Sequence, residues 1–255
     1  MTRWTAILLA GSRPGGDPLS RSLGVDYKPL LPVAGEPMVL RPLRALLSAP
    51  EIGGVRVLTQ QTERLASVLP TDPRVQLAPS GETIASTLTD LLADPETPFP
   101  LLITTADHAL LTPAMIAEFT AAAAGCDLAL GVVSRTAMRQ RFPDAQRTWI
   151  NVGGEGYSGA NLFALGTPKA ARGVERWRAI EQDRKKGWRV LLQLGLPLLL
   201  GAVLRVRNLD QTMAALGRRL GLDARAVVMR DPLAAIDVDK PADHALVTAI
   251  LAGEA

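Results

Sequence analysis

Short apolar runs alternate along this chain with longer segments in which apolar residues recur at helical spacing. Runs such as TAILLA at 5–10 and FPLLITT at 99–105 are continuous enough to be strands buried on both faces. The predicted strands are residues 5–10, 53–59, 75–78, 99–105, 127–133, 224–229 and 234–238. The predicted helices are residues 38–47, 62–69, 83–93, 113–124, 168–184 and 241–251. This alternation predicts an α/β fold with a three-layer, Rossmann-like, mostly parallel sheet.

The second half of the chain is less regular than the first. Residues 149–165 predict two short strands around a glycine-rich turn, and residues 187–216 are rich in leucine. Because neither an internal repeat nor a low-complexity linker interrupts the chain, we predict a single domain over residues 1–255. Its predicted parts are a nucleotide-binding half at 1–133, an acceptor-binding part with an inserted helical leucine-rich lobe at 134–225, and a closing strand and helix at 226–252.

The leucine-rich lobe has basic edges. Its apolar core, residues 190–204, is shorter than the about 20 residues that span a bilayer. Basic residues and Trp188 flank this core, which is typical of a segment lying on a membrane surface. Burial in the protein core or in a homodimer interface is the alternative for residues 187–207.

Composition and charge narrow the class of ligand. Hydrophobic residues make up 47% of the chain, which excludes intrinsic disorder. The net charge is +3, from 28 basic and 25 acidic side chains, and no basic stripe indicates nucleic acid. The single cysteine, Cys126, excludes an intrachain disulfide and is expected to be buried. The N-terminal residues do not resemble a signal peptide, so we expect a cytoplasmic location, with peripheral contact at the inner membrane surface as an alternative.

A glycine-rich loop, LAGSRPGGD at 9–17, follows the first predicted strand. Glycines there let backbone N–H groups approach phosphate oxygens, and Arg13, Arg21 and Lys28 add positive charge. The loop matches neither the P-loop nor the dinucleotide-binding fingerprint. By itself it fits a phosphate site and an ordinary surface turn equally well.

Further motifs give this loop a family resemblance. They are Leu9-Ala10-Gly11, Ser20-Arg21, Gly24, Lys28 and the run LLPVAGEPM at 30–38. Together they resemble the MobA-like NTP-transferase family, whose fold is called GT-A. The resemblance implies that Leu9, Ala10, Gly11, Ser12, Arg13 and Lys28 bind the nucleotide. It also implies that Lys28 neutralises charge on the α-phosphate. Ser12 replaces a glycine of the family motif, and extra residues leave Arg13 and Arg21 as alternative phosphate ligands, with the spacing to Gly24 favouring Arg21 as a catalytic residue.

Two aspartates are predicted to bind Mg²⁺. Asp107 follows the strand at 99–105, and the carboxyl end of a central strand faces the ligand crevice in such sheets. A turn aspartate is the alternative. The closing run AIDVDKPAD at 235–243 is similar to the family's, which implies that Asp239 completes the metal site and that Asp237 supports it or points away.

Three weaker assignments remain. Ser80, Gly81 and Thr83 resemble the loop that contacts the nucleobase, although a helix N-cap explains them equally well and the base stays open. His108 contacts the acceptor or solvent. Ser158 and Asn161, in a glycine-containing turn, are predicted to contact the acceptor.

The function that the resemblance implies is Mg²⁺-dependent nucleotidyl transfer. An NMP group would pass from an NTP to a phosphorylated small-molecule or lipid-like acceptor, with release of pyrophosphate. A GT-A glycosyltransferase is the first alternative, but His108 and Ala109 follow Asp107, where such an enzyme would have a D-x-D motif. A non-catalytic nucleotide- or lipid-binding module is the second. A Ser-His-Asp hydrolase is disfavoured because the chain has only two histidines, His108 and His244, and no G-x-S-x-G elbow.

The leucine-rich lobe yields a prediction about membranes. If residues 187–207 lie on a membrane surface, the protein should float with anionic liposomes at low salt. Binding should fall with added salt and when Arg184, Lys185 and Lys186 are changed to Glu, because each nearby basic residue adds about 1 kcal/mol of attraction. A protein that stays in the soluble fraction at low salt would assign these leucines to the core or to a dimer interface.

Overall fold

The predicted alternation of strands and helices is present in the computed structural model, which describes residues 3–12, 17–182 and 207–254. Strands β1 to β10 are Trp4–Leu9, Pro32–Val33, Glu36–Pro37, Ile52–Thr59, Val75–Pro79, Leu101–Thr105, Leu128–Ser134, Ile150–Val152, Glu155–Leu165 and Ala224–Val228. Helices α1 to α9 are Pro18–Ser22, Leu40–Ser48, Thr62–Ala66, Ile84–Ala93, Pro113–Ala123, Arg135–Arg141, Ala171–Gln182, Leu209–Leu220 and Pro241–Ala252.

One eight-stranded sheet organises the described residues. Its strand order is β10-β7-β9-β6-β1-β4-β5, with β8 paired to β9. The pairs β1/β4, β1/β6, β4/β5 and β7/β10 are parallel, whereas β9 runs antiparallel to its neighbours. The α/β, mostly parallel sheet expected from the sequence is therefore confirmed.

Helices cover both faces of the sheet and make three layers. Alternate residues of a strand point to opposite faces, so Leu8 of β1 packs into one core while Ile7 packs into the other. The larger core receives Leu43 of α2 and Phe119 of α5. The smaller one receives Leu88 of α4 and, from α7, Val174.

A bulge in β9 breaks the regular pairing with β7. Leu130 is opposite Phe163, but Val132, two residues later, is opposite Gly159, four residues away on β9. The extra residues include Asn161, which adopts a left-handed backbone conformation with a φ of 47°. This places Asn161 beside the carboxyl end of β6, because Ile103 of β6 is also opposite Phe163.

The predicted strand at 234–238 is wrong. Residues Pro232–Ala235 form a 3₁₀ turn, which Asp231 caps by accepting the N–H of Leu233 at 2.9 Å. These residues are apolar because Ala234 to Ile236 are all buried, and a buried turn has the same run of apolar residues as a buried strand. Among the described residues, helices α1 and α6 were also not predicted.

The predicted leucine-rich lobe lies mostly outside the described residues, as does Arg13. Within the described part of the chain, no helix has both the length and the apolar character needed to cross a membrane.

Tyr27 links three segments next to Lys28. Its fully buried hydroxyl donates to the carbonyl oxygen of Ala10 at 2.7 Å and shares a short hydrogen bond with the hydroxyl of Thr59. Burial, the largest influence, raises the pKa of the Tyr27 phenol above its usual value. The loop after β1, the end of β4 and the approach to Lys28 are thereby fixed to one another.

We predict that Tyr27→Phe lowers the free energy of unfolding by about 1–3 kcal/mol, because buried hydrogen-bond partners lose their pairing. Urea denaturation measures this change. The chain's other tyrosine, Tyr157 on β9, is partly exposed and gives the matched control. Tyr157→Phe should stay within about 0.5 kcal/mol of the parent. Equal effects of the two substitutions would contradict the assigned role of Tyr27.

Candidate functional site

A cavity of about 530 Å³ opens at the edge of the sheet where β1, β4 and β6 end. Carboxyl ends of parallel strands meet at one edge, so the residues that follow these strands converge there. Gly11 and Ser12 follow β1, Gln60 follows β4, and Asp107 follows β6; all four line the cavity. The bulge residue Asn161 lines it as well.

At the floor of this cavity, Lys28 lies between two carboxylates. Its Nζ is 2.7 Å from Asp107 Oδ2 and 2.6 Å from Asp239 Oδ1. These partners are 79 and 211 residues away in sequence. Burial disfavours the charge on Lys28, whose side chain is 12% exposed, but the two carboxylates outweigh burial and raise the pKa of the ammonium group. The structure thus brings together the predicted catalytic lysine and both predicted metal ligands.

Local hydrogen bonds fix the two aspartates. The hydroxyl of Thr105, the last residue of β6, donates to Asp107 Oδ1. The N–H of Val238 donates to the Asp107 carbonyl oxygen at 3.1 Å and ties the closing segment to the end of β6. Both carboxylates therefore reach Lys28 from anchored backbone.

The donor set suits a divalent cation that arrives with phosphates. Asp107 and Asp239 already converge on one positive charge, the Lys28 ammonium. Within the described ranges, no group of three or more acidic, histidine or cysteine side chains could hold a metal ion by itself. Magnesium often takes one or two carboxylates and completes its shell with phosphate oxygens and water, which these two aspartates allow.

The cavity is acidic. The described residues that line it include one basic side chain, that of Lys28, and five acidic ones. The acidic residues are Asp17, Glu82, Asp107, Asp237 and Asp239. A triphosphate would meet net negative charge here unless a cation accompanied it.

The glycine loop forms one wall. The N–H of Ser12 donates to Gln60 Oε1 at 3.0 Å, and the Ser12 hydroxyl accepts the N–H of Lys28 at 3.3 Å. Leu9 and Gly11 line the cavity, whereas Ala10 is buried behind the wall. Arg21 is exposed in the last turn of α1 and is not among the residues that line the cavity.

The loop after β5 forms the opposite wall. Ser80 and Thr83 line the cavity, and the Gly81 carbonyl accepts a hydrogen bond from Gln60 Nε2 at 3.3 Å. Thr83 is also the N-cap of α4, with its hydroxyl accepting the N–H of Ser86 at 3.1 Å. Thr83 therefore both caps helix α4 and lines the cavity, so the two alternatives considered for this loop are compatible. Gln60, which was not predicted as a site residue, bridges the two walls through its hydrogen bonds to Ser12 and Gly81.

The predicted acceptor residues separate in the structure. Asn161 lines the cavity, but His108 and Ser158 are buried and are not part of its lining. Burial, only partly offset by Asp107, lowers the pKa of His108 to about 4, so the ring is neutral at physiological pH. Its Nδ1 is 3.3 Å from the Thr104 hydroxyl. The structure therefore holds His108 next to Thr104 of β6 and outside the lining of the cavity.

Asp237 has a partner that sequence reasoning missed. The Arg147 guanidinium forms an ion pair with Asp237 Oδ1, and Asn161 Nδ2 donates to Oδ2 at 3.4 Å. Burial, reinforced by the charge of Asp239, raises the pKa of Asp237 even though Arg147 acts against the shift. Asp237 lines the cavity and therefore does not point away from the site.

The sequence of residues 6–193 matches the MobA-like NTP transferase domain. The match covers most of the chain and includes Lys28 and Asp107. The chain belongs to the MobA-like NTP transferase family. Membership places it among the nucleotidyltransferases and favours transfer from an NTP over the glycosyltransferase alternative.

Solved structures share the fold of this MobA-like transferase. A hypothetical transferase from Thermus thermophilus is 26% identical, with a TM-score of 0.80 over 95% of this chain and 99% of that one. The 4-diphosphocytidyl-2C-methyl-D-erythritol synthase from Anaerococcus prevotii is 10% identical, with a TM-score of 0.61 over 98% and 97%. A CMP:2-keto-3-deoxy-manno-octonic acid synthetase complexed with CTP is 13% identical, with a TM-score of 0.60 over 99% and 100%. The latter two show the fold alone. No curated protein matches the chain in sequence.

We predict that Asp107→Ala and Asp239→Ala each reduce turnover about a hundredfold or more, since charge stabilisation of several kcal/mol is lost. Far-UV circular dichroism should show that both variants keep the fold of the MobA-like transferase. Asp90→Ala, on the exposed side of α4, is the control and should leave turnover unchanged. Near-normal activity of both site variants would place the essential carboxylates elsewhere.

Proposed function

We propose that this protein is a Mg²⁺-dependent nucleotidyltransferase. It transfers an NMP group from an NTP to a phosphorylated acceptor and releases pyrophosphate. The observation that carries this proposal is the contact of the Lys28 ammonium with both Asp107 and Asp239. A lysine, which can neutralise a phosphate, and two carboxylates, which can bind a metal, meet at one point of the cavity lining.

In the proposed reaction, an acceptor oxygen attacks the α-phosphorus of the NTP. The bond from this phosphorus to the oxygen that bridges to the β-phosphate breaks, and pyrophosphate leaves. Such chemistry depends on positioning and electrostatic stabilisation more than on covalent help from the protein. Lys28 is placed to turn from the carboxylates to the α-phosphate oxygens, where negative charge builds up.

Backbone groups and short side chains would position the nucleotide. Gly11 and Ser12 line the cavity at the end of β1, where the phosphates would lie. The Ser12 N–H donates to Gln60 Oε1 in this structure, so it would have to exchange that partner for a phosphate oxygen. Gln60 and Ser80 would face the nucleobase from two sides. Backbone groups of Ser80 and the hydroxyl of Thr83, both of which line the cavity, could pair with a base edge.

Asp107 and Asp239 would hold the magnesium ion. When bound, the ion would neutralise phosphate charge and orient the triphosphate for in-line attack. Its positive charge also offsets the acidic lining of the cavity.

We propose that the acceptor binds on the side of the cavity that is lined by Asn161 and Asp237. The 4-diphosphocytidyl-2C-methyl-D-erythritol synthase and the CMP:2-keto-3-deoxy-manno-octonic acid synthetase, which share the fold, make cytidylyl derivatives of a small polyol and of a sugar acid, and this supports a small acceptor here. The phosphorylated and lipid-like character of the acceptor, together with membrane contact and dimer formation by residues 187–207, stays a prediction.

A binding screen tests the proposal. We predict that one of the four NTPs raises the melting temperature in the presence of Mg²⁺, since a ligand at a hundred times its Kd adds about 2.7 kcal/mol of stability. The shift should shrink on addition of a chelator. Lys28→Ala should weaken it more than Lys28→Arg does, because arginine keeps the positive charge.

The preferred NTP then enters a pyrophosphate-release assay with a panel of phosphorylated acceptors. Lys28→Ala should abolish release. A protein that no NTP stabilises, with or without Mg²⁺, would contradict the proposal and favour a non-catalytic module.

A further inference from the structure

Arg147 connects the acceptor side of the cavity to the closing segment. It belongs to the stretch between α6 and β8, and its side chain is only 12% exposed. One guanidinium nitrogen, Nη1, pairs with Asp237 Oδ1. The other, Nη2, is 3.5 Å from Asp243 Oδ1. A single arginine therefore contacts both ends of the segment that carries Asp239.

The second oxygen of Asp243 extends this connection to the backbone of the site. Asp243 Oδ2 accepts the N–H of Lys240 at 3.0 Å and that of Asp239 at 3.4 Å. Asp243 lies in the first turn of α9, so this contact anchors the start of the helix at the same time. Arg147 is thus one residue removed from the backbone of Asp239.

The closing segment needs such anchoring because it has little regular structure. Residues 236–239 have neither helical nor strand assignment between the 3₁₀ turn Pro232–Ala235 and α9. Its carboxylates, Asp237 and Asp239, line the same cavity as Asp107, which follows β6. Lys28 offsets the charges of Asp107 and Asp239. Without Arg147, the negative charge of Asp237 would still repel Asp239 and favour moving it away from the cavity.

We propose that Arg147 is a positioning residue, which holds the segment 237–243 so that Asp239 can bind the metal ion together with Asp107. This inference rests on the proposed function. Arg147 is not among the residues that line the cavity, so it acts through Asp237 and Asp243 and not on the substrate. Outer partners that orient metal ligands commonly change metal affinity or activity 10–100-fold when they are replaced.

The test compares Arg147→Met with Arg141→Met. Arg141 is nearby in sequence and also meets an aspartate, Asp231 at 3.4 Å, but its side chain is 47% exposed. The probe is Mn²⁺, followed by electron paramagnetic resonance in the presence of a non-hydrolysable analogue of the best-binding NTP. Arg147→Met should weaken Mn²⁺ binding about 10–100-fold. Arg141→Met should leave it unchanged, and Arg147→Lys should restore part of it.

A second readout separates positioning from general damage. Binding of the NTP analogue without metal should change less than about twofold in Arg147→Met, because the nucleotide-binding walls lie on the other side of the cavity. If Arg147→Met does not fold, Asp243→Asn removes one of the two ion pairs of Arg147, the one with Asp243, while keeping an oxygen that can accept the backbone N–H groups. It should weaken Mn²⁺ binding in the same direction.

The possible results differ for the two proposals. Wild-type Mn²⁺ affinity in folded Arg147→Met, or in Asp243→Asn, overturns the positioning role and leaves the proposed function intact. A wild-type protein that binds the NTP but no Mn²⁺ overturns the metal site itself, and the positioning role with it.

Discussion

The architecture of the site depends on the ammonium group of Lys28. Two carboxylates that approach to within hydrogen-bond distance of a common point repel each other unless a cation lies between them. Asp107 and Asp239 come from the end of β6 and from the closing segment, and Lys28 follows the glycine loop. The ion pairs therefore join both halves of the chain at the edge where the parallel strands end. Tyr27 fixes the approach to Lys28, because its buried hydroxyl binds the loop after β1 and the end of β4.

The antiparallel strand β9 gives this edge its asymmetry. If both neighbours of β6 were parallel to it, each would end in a loop at the cavity. The antiparallel strand β9 instead brings the middle of a strand to the cavity. Its bulge turns Asn161 into the cavity at the cost of a left-handed backbone, which Asn tolerates better than most residues. The same bulge puts Asn161 within reach of Asp237. The side of the cavity at Asn161 and Asp237, where the acceptor is proposed to bind, is thus built from long-range packing. The walls proposed to bind the nucleotide are loops that directly follow strands.

This difference explains how far the sequence could predict the molecule. Buried strands such as β1 and β6 have local apolar patterns, so the sequence predicts them. Lys28, Asp107 and Asp239 lie in short motifs, so the sequence also predicts them as site residues. The strand expected at 234–238 failed because burial alone produced its apolar residues. Gln60 contacts Ser12, 48 residues away, and Arg147 contacts Asp237, 90 residues away. No local pattern marks such residues, because only tertiary structure gives them partners.

The two cationic side chains of the site, Lys28 and Arg147, differ in how far they can move. Lys28 faces the cavity, so an incoming triphosphate offers it new oxygens, and a lysine can follow them because its ammonium is a point charge on a flexible stem. Arg147 stays behind the lining, held by Asp237 and Asp243. In the proposed reaction, phosphates that drew Lys28 away would deprive Asp107 and Asp239 of the charge that they share, whereas Asp237 would keep Arg147. The site would then have two carboxylates without the Lys28 charge beside a triphosphate, which is the electrostatic condition for binding the proposed divalent cation.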